Sequence, residues 1–217
     1  MKNIIFLLAV SFILLDIAPP AFADRDWEYW SRYSAEVPIT KEVSYAIKPE
    51  WRIRDDMSYR YLFKLEQAIN FKIGNYLELA PYYVWQENKT AKGADRSNLS
   101  YIDITGKIPL KELFGMKIIN RLRWQYNYDK GLSIWRNSAR LTKSFKLWKL
   151  ELFPFIEDEI FYDSKLGRFN ENWASAGISF ALGKNINIGV SYLLDTKKKG
   201  NDWNYANVLV TSASLKF

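Results

Sequence analysis

The sequence predicts an all-β protein, a transmembrane antiparallel up-and-down β-barrel of 10–12 strands. Three observations support this prediction: apolar and polar side chains alternate along most of the chain, the alternating segments are long, and aromatic residues collect near both ends of these segments. Hydrophobic residues make up 48% of the 217 positions and aromatic residues 17%, while 25% are charged. A helical membrane protein would need repeated apolar runs of about 20 residues, and none follows residue 23.

The first 23 residues read as a secretory signal peptide. Lys2 supplies the positive end, residues 4–15 form an apolar stretch, and Ala21-Phe22-Ala23 forms a small-x-small cleavage site. The stretch is too short to span a bilayer comfortably. We therefore expect an exported bacterial protein.

The absence of two residue types limits the chemistry. The chain has no Cys and no His, so it has no disulfides, no thiolate or imidazole metal ligands and no Ser-His nucleophile. We expect no cofactor, no metal and no enzymatic activity. The net charge is +7, but an exported barrel meets little nucleic acid, and nucleic-acid binding is not expected.

Period-two alternation is clearest over residues 59–72. Phe63, Leu65 and Ile69 fall on one face of an extended strand, and Lys64 and Glu66 fall on the other. Such segments are long enough to cross a hydrocarbon layer at a tilt, which needs about 9–11 residues. Eleven are predicted, at about 27–37, 42–54, 59–72, 75–87, 97–108, 116–128, 132–145, 148–162, 172–182, 185–194 and 203–217.

Eleven segments conflict with the rule that a barrel with both ends in the periplasm has an even number of strands. The prediction therefore places the barrel at 41–217 and leaves 24–40 as a first strand, a plug or a lid. Ten strands suffice if 24–40 lies outside the wall, and an unrecognised partner strand would make twelve. Short turns near 72–75, 146–147 and 182–185 are expected to alternate with longer loops at 88–96, 163–171 and 195–202.

Aromatic residues and the C-terminus supply further membrane signals. Aromatic rings prefer the two membrane interfaces, and six tryptophans are predicted to lie there: Trp51, Trp85, Trp124, Trp135, Trp173 and Trp203. The terminal Phe217, with Leu215 on the same face, resembles the C-terminal signal by which outer-membrane barrels are recognised for assembly. The expected partners are outer-membrane lipid and the barrel-assembly machinery, and the barrel is expected to be a monomer.

If the apolar face meets lipid, the polar face lines the lumen. Nine bases and six acids are then predicted inside: Lys48, Glu50, Arg52, Arg54, Arg60, Lys64, Glu66, Glu78, Asp103, Arg121, Arg123, Arg136, Arg140, Glu157 and Glu159. These residues could brace the barrel through salt bridges, or guide an anionic solute through arginine forks. Glu157 and Glu159 could also form a catalytic carboxylate pair, but paired carboxylates without a positioned pocket are weak evidence for catalysis.

Five short motifs, in this order along the mature chain, resemble DUF2490, a family of bacterial outer-membrane barrels without an established activity. They are Pro49-Glu50-Trp51-Arg52, Asn120-Arg121-Leu122-Arg123, Trp135-Arg136-Asn137, Leu152-Phe153-Pro154-Phe155 leading to Glu159, and Leu215-Lys216-Phe217. The resemblance implies an outer-membrane location. A looser similarity, in size and arginine content, is to porins for acidic oligosaccharides.

The sequence thus predicts an outer-membrane barrel of uncharacterised role. Two alternatives stay open: a passive channel for small anionic solutes such as acidic oligosaccharides, and a soluble periplasmic binding protein of lipocalin type.

Overall fold

The structure is a computed structural model that describes residues 27–90, 93–110, 115–148, 150–200 and 202–217. The predicted signal peptide, residues 1–23, lies outside these ranges. Strands account for nearly all of the described chain, and no helix in this part is long and apolar enough to cross a membrane. The strands are β1 Trp27–Pro38, β2 Val43–Arg54, β3 Tyr59–Ile73, β4 Leu77–Thr90, β5 Gly93–Leu110, β6 Met116–Asn127, β7 Leu132–Lys143, β8 Phe145–Leu147, β9 Leu150–Asp163, β10 Arg168–Leu182, β11 Ile186–Lys199 and β12 Asp202–Lys216.

The strands close into a barrel. Each strand pairs antiparallel with its neighbour along the chain, and β8 is a three-residue continuation of β7 on the same partner, β9. The wall therefore has eleven strands. It closes where β1 pairs with β12 in parallel, from Trp27 opposite Asn207 to Glu36 opposite Lys216.

The eleven predicted segments correspond to these eleven strands, which confirms the predicted fold class. The expectation of an even strand number was wrong, because it assumed that the closing pair is antiparallel. A parallel closing pair accommodates an odd number, since the first and last strands then run in the same direction. Trp27–Pro38 lies in the wall as β1, hydrogen-bonded on both sides.

The longer loops expected at 88–96 and 195–202 are largely paired strand. Asn88 pairs with Asp95, and Lys197 pairs with Asn204. Most residues of these hairpins are polar, with Trp203 and Tyr205 as exceptions, so backbone pairing continues where the apolar alternation no longer indicates a strand. We refer to the rim where β1 begins as the N-terminal rim, and to the rim that holds Phe217 as the C-terminal rim.

The two faces of the wall differ sharply. Charged side chains on the inner face are buried, such as Lys64 at 7% exposed, whereas apolar side chains on the outer face are open, such as Ile104 at 44%. A bulge in β3 interrupts the alternation, because Arg52 pairs with Leu62 and the next residue, Ile53, pairs with Arg60. The extra residue, Tyr61, turns inward and donates its hydroxyl to the Glu28 carboxylate (2.8 Å). Arg60 lies beside outer-face residues, so its predicted lumen position was wrong.

Small residues allow β10, β11 and β12 to approach closely on the lumen side. A Cβ added at Gly177 would overlap the Cβ of Ser191 and lie 2.5 Å from the Val190 carbonyl oxygen. Both contacts are too close for non-bonded atoms, so this part of the wall requires glycine.

We predict that Gly177→Val prevents stable closure of the barrel, because overpacking of a filled site costs about 1–3 kcal/mol or more. Gly106→Val is the matched control, since a Cβ added at Gly106 would come no closer than 4.0 Å to the nearest atom, the Asn120 carbonyl oxygen. Heat-dependent gel migration and urea unfolding of both variants check this prediction. Equal stability of the two variants would contradict it.

Candidate functional site in the barrel lumen

A cavity of about 210 Å³ lies in the lumen between the charged inner faces of the wall. Most of the residues predicted to face the lumen line it. They are Lys48, Glu50, Arg52, Lys64, Glu66, Arg121, Arg123, Arg136, Arg140, Glu157 and Glu159.

Two of the other predicted lumen residues lie elsewhere on the inner face. Asp103 is buried behind the cavity wall, bonded to Arg123. Glu78 pairs with Lys107 (2.9 Å) nearer the C-terminal rim. Sequence reasoning missed Arg32, which lines the cavity from β1. Arg32 lies on the polar face of β1, and this face could have indicated its lumen position. The sequence analysis left 24–40 outside the predicted barrel, so the polar residues of this segment were not assigned to the lumen.

Glu50 organises the first ion-pair network, on β1, β2 and β3. Its carboxylate lies 2.5 Å from Arg52 Nε, 3.0 Å from Lys64 Nζ and 3.5 Å from Arg32 Nε. Lys64 also contacts Glu66 at 2.7 Å. Glu50, Lys64 and Glu66 are each 7% exposed, and a buried carboxylate is stabilised only when such partners replace its water.

Glu159 organises the second network, on β6, β7 and β9. Its Oε1 atom accepts from Arg121 Nη2 (2.6 Å) and from Arg136 Nε (2.9 Å). Two residues away on the same face of β9, Glu157 accepts hydrogen bonds from both Nε and Nη2 of Arg140 (2.9 and 2.5 Å). Both members of the proposed catalytic carboxylate pair are therefore engaged by arginines.

A third ion pair joins β5 to β6. Arg123 donates from Nε and Nη2 to the two oxygens of Asp103, at 2.6 and 2.7 Å. Both side chains are 5% exposed. The guanidinium also lies 4.4 Å from the Tyr101 ring centre, so two hydrogen bonds and a cation–π contact fix the position of the Arg123 side chain.

Trp173 lies in the lumen, not at the membrane interface. It is buried, lines the cavity, and packs against Trp30 (5.0 Å between ring centres) and Phe161 (4.7 Å). The predicted interface position of Trp173 was wrong, because neither face of β10 is distinctly apolar. The other five predicted interface tryptophans, Trp51, Trp85, Trp124, Trp135 and Trp203, fall on the outer face by strand alternation.

Trp173 spans the interior between opposite sides of the wall. Its ring centre is 5.3 Å from the guanidinium carbon of Arg52 on β2 and 4.9 Å from that of Arg136 on β7. Four strands separate β2 from β7 in one direction around the wall and five in the other. Trp173 and its apolar neighbours therefore obstruct the lumen on the N-terminal side of the ion pairs.

The cavity lining carries an excess of positive charge. Eight bases and four acids line it, and the excess is three if Asp103, behind Arg123, is included. Lys48 donates to the Tyr82 hydroxyl (2.7 Å) and not to a carboxylate. Lys48 is thus a cavity base without a carboxylate partner, and the excess of bases leaves the cavity suited to an anion.

A second cavity of about 350 Å³ adjoins the first towards the C-terminal rim. The two share Arg32, Arg140, Phe155 and Ser191 as lining residues. Small hydroxyl side chains, among them Ser179, Ser212 and Ser214, form much of its wall. This polar space leads from the rim towards the charged cavity.

Comparison with known proteins places the chain in a family. The model of the family described as "Protein of unknown function (DUF2490)" matches residues 27–206, so the chain belongs to this family. No curated protein matches the sequence. Among solved structures, the β domain of the Bordetella autotransporter BrkA is similar, with 12% identity, a TM-score of 0.42, and coverage of 85% of this chain and 96% of that chain.

We predict that Asp103→Ala destabilises the barrel by about 3–5 kcal/mol, because it leaves the Arg123 guanidinium buried without its counter-ion. Asp95→Ala is the matched control. It removes the partner of Lys130 in an ion pair whose side chains are both 50% exposed, and such a pair contributes about 0–1 kcal/mol. Urea unfolding of the barrel refolded in detergent measures both. Equal losses would contradict the assignment of Asp103.

Proposed function

We propose that the chain is an outer-membrane β-barrel that admits small anionic solutes to a cationic cavity in its lumen. The membrane location is supported by the reversed polarity of the wall. A soluble barrel buries apolar side chains and exposes charges. Here Glu50, Lys64 and Glu66 are buried while Ile69, Ile104 and Val190 are 42–44% exposed. Hydrocarbon is the medium that makes such an exterior stable, and a soluble lipocalin-like binder would have the opposite one.

Exterior aromatic contacts support the same location. Tyr33, Trp51, Phe63 and Trp85 form a continuous row across β1, β2, β3 and β4, with successive ring centres 5.1 to 5.9 Å apart. Rows of aromatic rings around a barrel are typical of membrane interfaces. The proposal retains cleavage after residue 23, and keeps Leu215 and Phe217 as the signal for the barrel-assembly machinery.

We predict that Leu65→Arg destabilises the barrel in bilayers, because Leu65 lies on the lipid face two residues inside the aromatic row at Phe63, and arginine on this face costs up to about 2–4 kcal/mol, its value at the midplane. Leu65 lies between the cavity residues Lys64 and Glu66, so it points outward near the middle of β3. Ile73→Arg, at the end of the same strand and face, is the control, with an expected cost of about 0–1 kcal/mol near the interface. Unfolding in lipid vesicles measures both, and equal costs would count against a membrane-embedded wall.

The single observation that carries the proposed solute class is the excess of bases over acids around one cavity, which is three once Asp103, the partner of Arg123, is counted. In a lumen of low dielectric constant, this uncompensated positive charge is costly. A small anion would compensate this charge, and guanidinium groups match the geometry of carboxylate and phosphate oxygens. The proposal therefore names carboxylate- or phosphate-bearing solutes.

The dimensions favour small solutes over oligosaccharides. The two adjoining cavities measure about 210 and 350 Å³, and Trp173 obstructs the path beyond them. A single sugar acid or inorganic phosphate would fit this space, whereas an extended oligosaccharide would require Trp173 to move. We assign no reaction to the site, since Glu157 and Glu159 are both held by arginines.

We predict an anion-selective current through the barrel in planar bilayers under a KCl gradient, reduced by added inorganic phosphate. Trp173→Ala is expected to raise the conductance, because it removes the ring that spans the lumen. Lys48→Gln is expected to weaken the effect of phosphate, because it removes a positive charge from the cavity. Lys48 donates to the Tyr82 hydroxyl and not to a carboxylate, so its removal leaves no acidic side chain without an ion-pair partner.

Lys198→Gln is the matched control, because Lys198 lies outside the lumen against the Trp203 ring. It is expected to behave like the wild type. Cation selectivity, or no current in either the wild type or Trp173→Ala, would overturn the proposed passage of anions.

A further inference from the structure

Two buried polar groups in the lumen lie opposite each other without hydrogen-bond partners. Within the described part of the chain, neither the indole Nε1 of Trp173 nor the Oδ1 atom of Asp195 has a partner. The two residues are cross-strand partners on β10 and β11, so both side chains face the lumen. Cβ atoms of such partners are about 4.5–5.5 Å apart. The indole N–H and the carboxylate are therefore within reach of each other.

The neighbouring tryptophan makes the kind of bond that Trp173 lacks. Trp30 packs against Trp173, and its Nε1 donates to the Glu28 carboxylate at 2.7 Å. A hydrogen bond from an indole to a carboxylate thus occurs within the same aromatic cluster. For Trp173 the corresponding carboxylate is that of Asp195, but the bond is not formed. Buried donors and acceptors are usually paired, so this exception needs a physical reason.

Contacts with other strands hold the Trp173 ring in its obstructing position. The ring centre lies 5.3 Å from the Arg52 guanidinium carbon and 4.9 Å from that of Arg136. These cation–π contacts and the packing on Phe161 do not use the indole N–H. On the other side of Asp195, its β12 partner Ala206 is small and only partly buried, which leaves space beside the carboxylate.

We propose that Asp195 is a positioning residue for the passage of solutes. It accepts a hydrogen bond from Trp173 when the ring turns towards β11, and it thereby holds the ring out of the path. The structure represents the obstructed arrangement, in which the contacts with Arg52 and Arg136 are made. In the open arrangement these contacts are lost, and one hydrogen bond satisfies both buried polar groups. Two discrete arrangements, each with its own contacts, are what a gate requires. The inference rests on the proposed passage of anions.

Single-channel recordings of Trp173→Phe in planar bilayers under a KCl gradient test the proposal. Phenylalanine keeps an aromatic ring but has no N–H to donate. We expect the open probability to fall by about tenfold or more, because a hydrogen bond to a charged group changes an equilibrium by at least that factor. If the ring only obstructed the lumen, the smaller phenyl ring would raise the current instead. That result would overturn the proposal.

Variants of Asp195 test the acceptor. Asp195→Ala is expected to lower the open probability to a similar extent, whereas Asp195→Asn keeps an acceptor oxygen and is expected to retain the openings. Trp173→Phe combined with Asp195→Ala should be no worse than either single variant, since both remove the same bond.

Glu171→Gln is the matched control. Glu171 lies two residues before Trp173 on the same face of β10, and its carboxylate already contacts Lys197 at 2.6 Å. This variant is expected to behave like the wild type. A loss equal to that of Asp195→Ala would show a general effect of charge and overturn the assignment of Asp195.

The failure of this inference differs from the failure of the proposed function. No current in either the wild type or Trp173→Ala would overturn the passage of anions and this inference with it. Current with an unchanged open probability in Trp173→Phe and Asp195→Ala would overturn the role of Asp195 alone. Heat-dependent gel migration shows whether each variant is folded, and Trp173→Phe decides if Asp195→Ala does not fold.

Discussion

The interior of this barrel must hold many charges in a space with little water, and the carboxylates of Glu50 and Glu159 are where this constraint is met. Glu50 contacts bases on β1, β2 and β3, and Glu159 contacts bases on β6 and β7. Because the partners come from different strands, each carboxylate ties together strands that backbone hydrogen bonds join only pairwise. The networks therefore define the lumen and, through the bases left over, its positive charge.

Aromatic rings extend this arrangement. Arg52 lies 3.6 Å from the Trp30 ring centre, and Arg136 lies 4.3 Å from that of Phe161. Guanidinium groups are weakly hydrated and stack well on rings, so the apolar cluster around Trp173 can sit directly against the charged layer. The lumen is consequently layered, with an aromatic obstruction on one side of the charges and a polar cavity lined by serines on the other.

Much of the fold could be predicted because a barrel wall imposes period two on every strand. The alternation of apolar Phe63 and Leu65 with charged Lys64 and Glu66 is a local pattern that is visible in the sequence itself. The parallel closure of β1 on β12 was missed, because it joins residues about 180 positions apart and leaves no local pattern. Trp173 was misplaced for a related reason: small residues such as Ser175 and Ala174 on the two faces of β10 do not indicate which face points outward.

For the candidate site, the sequence identified the inward-facing charges but not their partners. Which base meets Glu50 depends on the stagger between strands, and the bulge at Tyr61 changes that stagger near Arg60. The adjoining cavity was also unpredictable, since Gly189 and Ser212 carry no charge that would attract notice. The space in the lumen depends as much on those small side chains, which leave it open, as on the arginines that line it.

An odd number of strands has a topological consequence for the chain ends. Because β1 and β12 run in the same direction, the polypeptide enters the wall at one rim and leaves it at the other. In the proposed membrane location, a reporter domain fused ahead of Trp27 would lie on one side of the membrane, and one fused after Phe217 on the opposite side. An even-stranded barrel would hold both reporters in the same compartment.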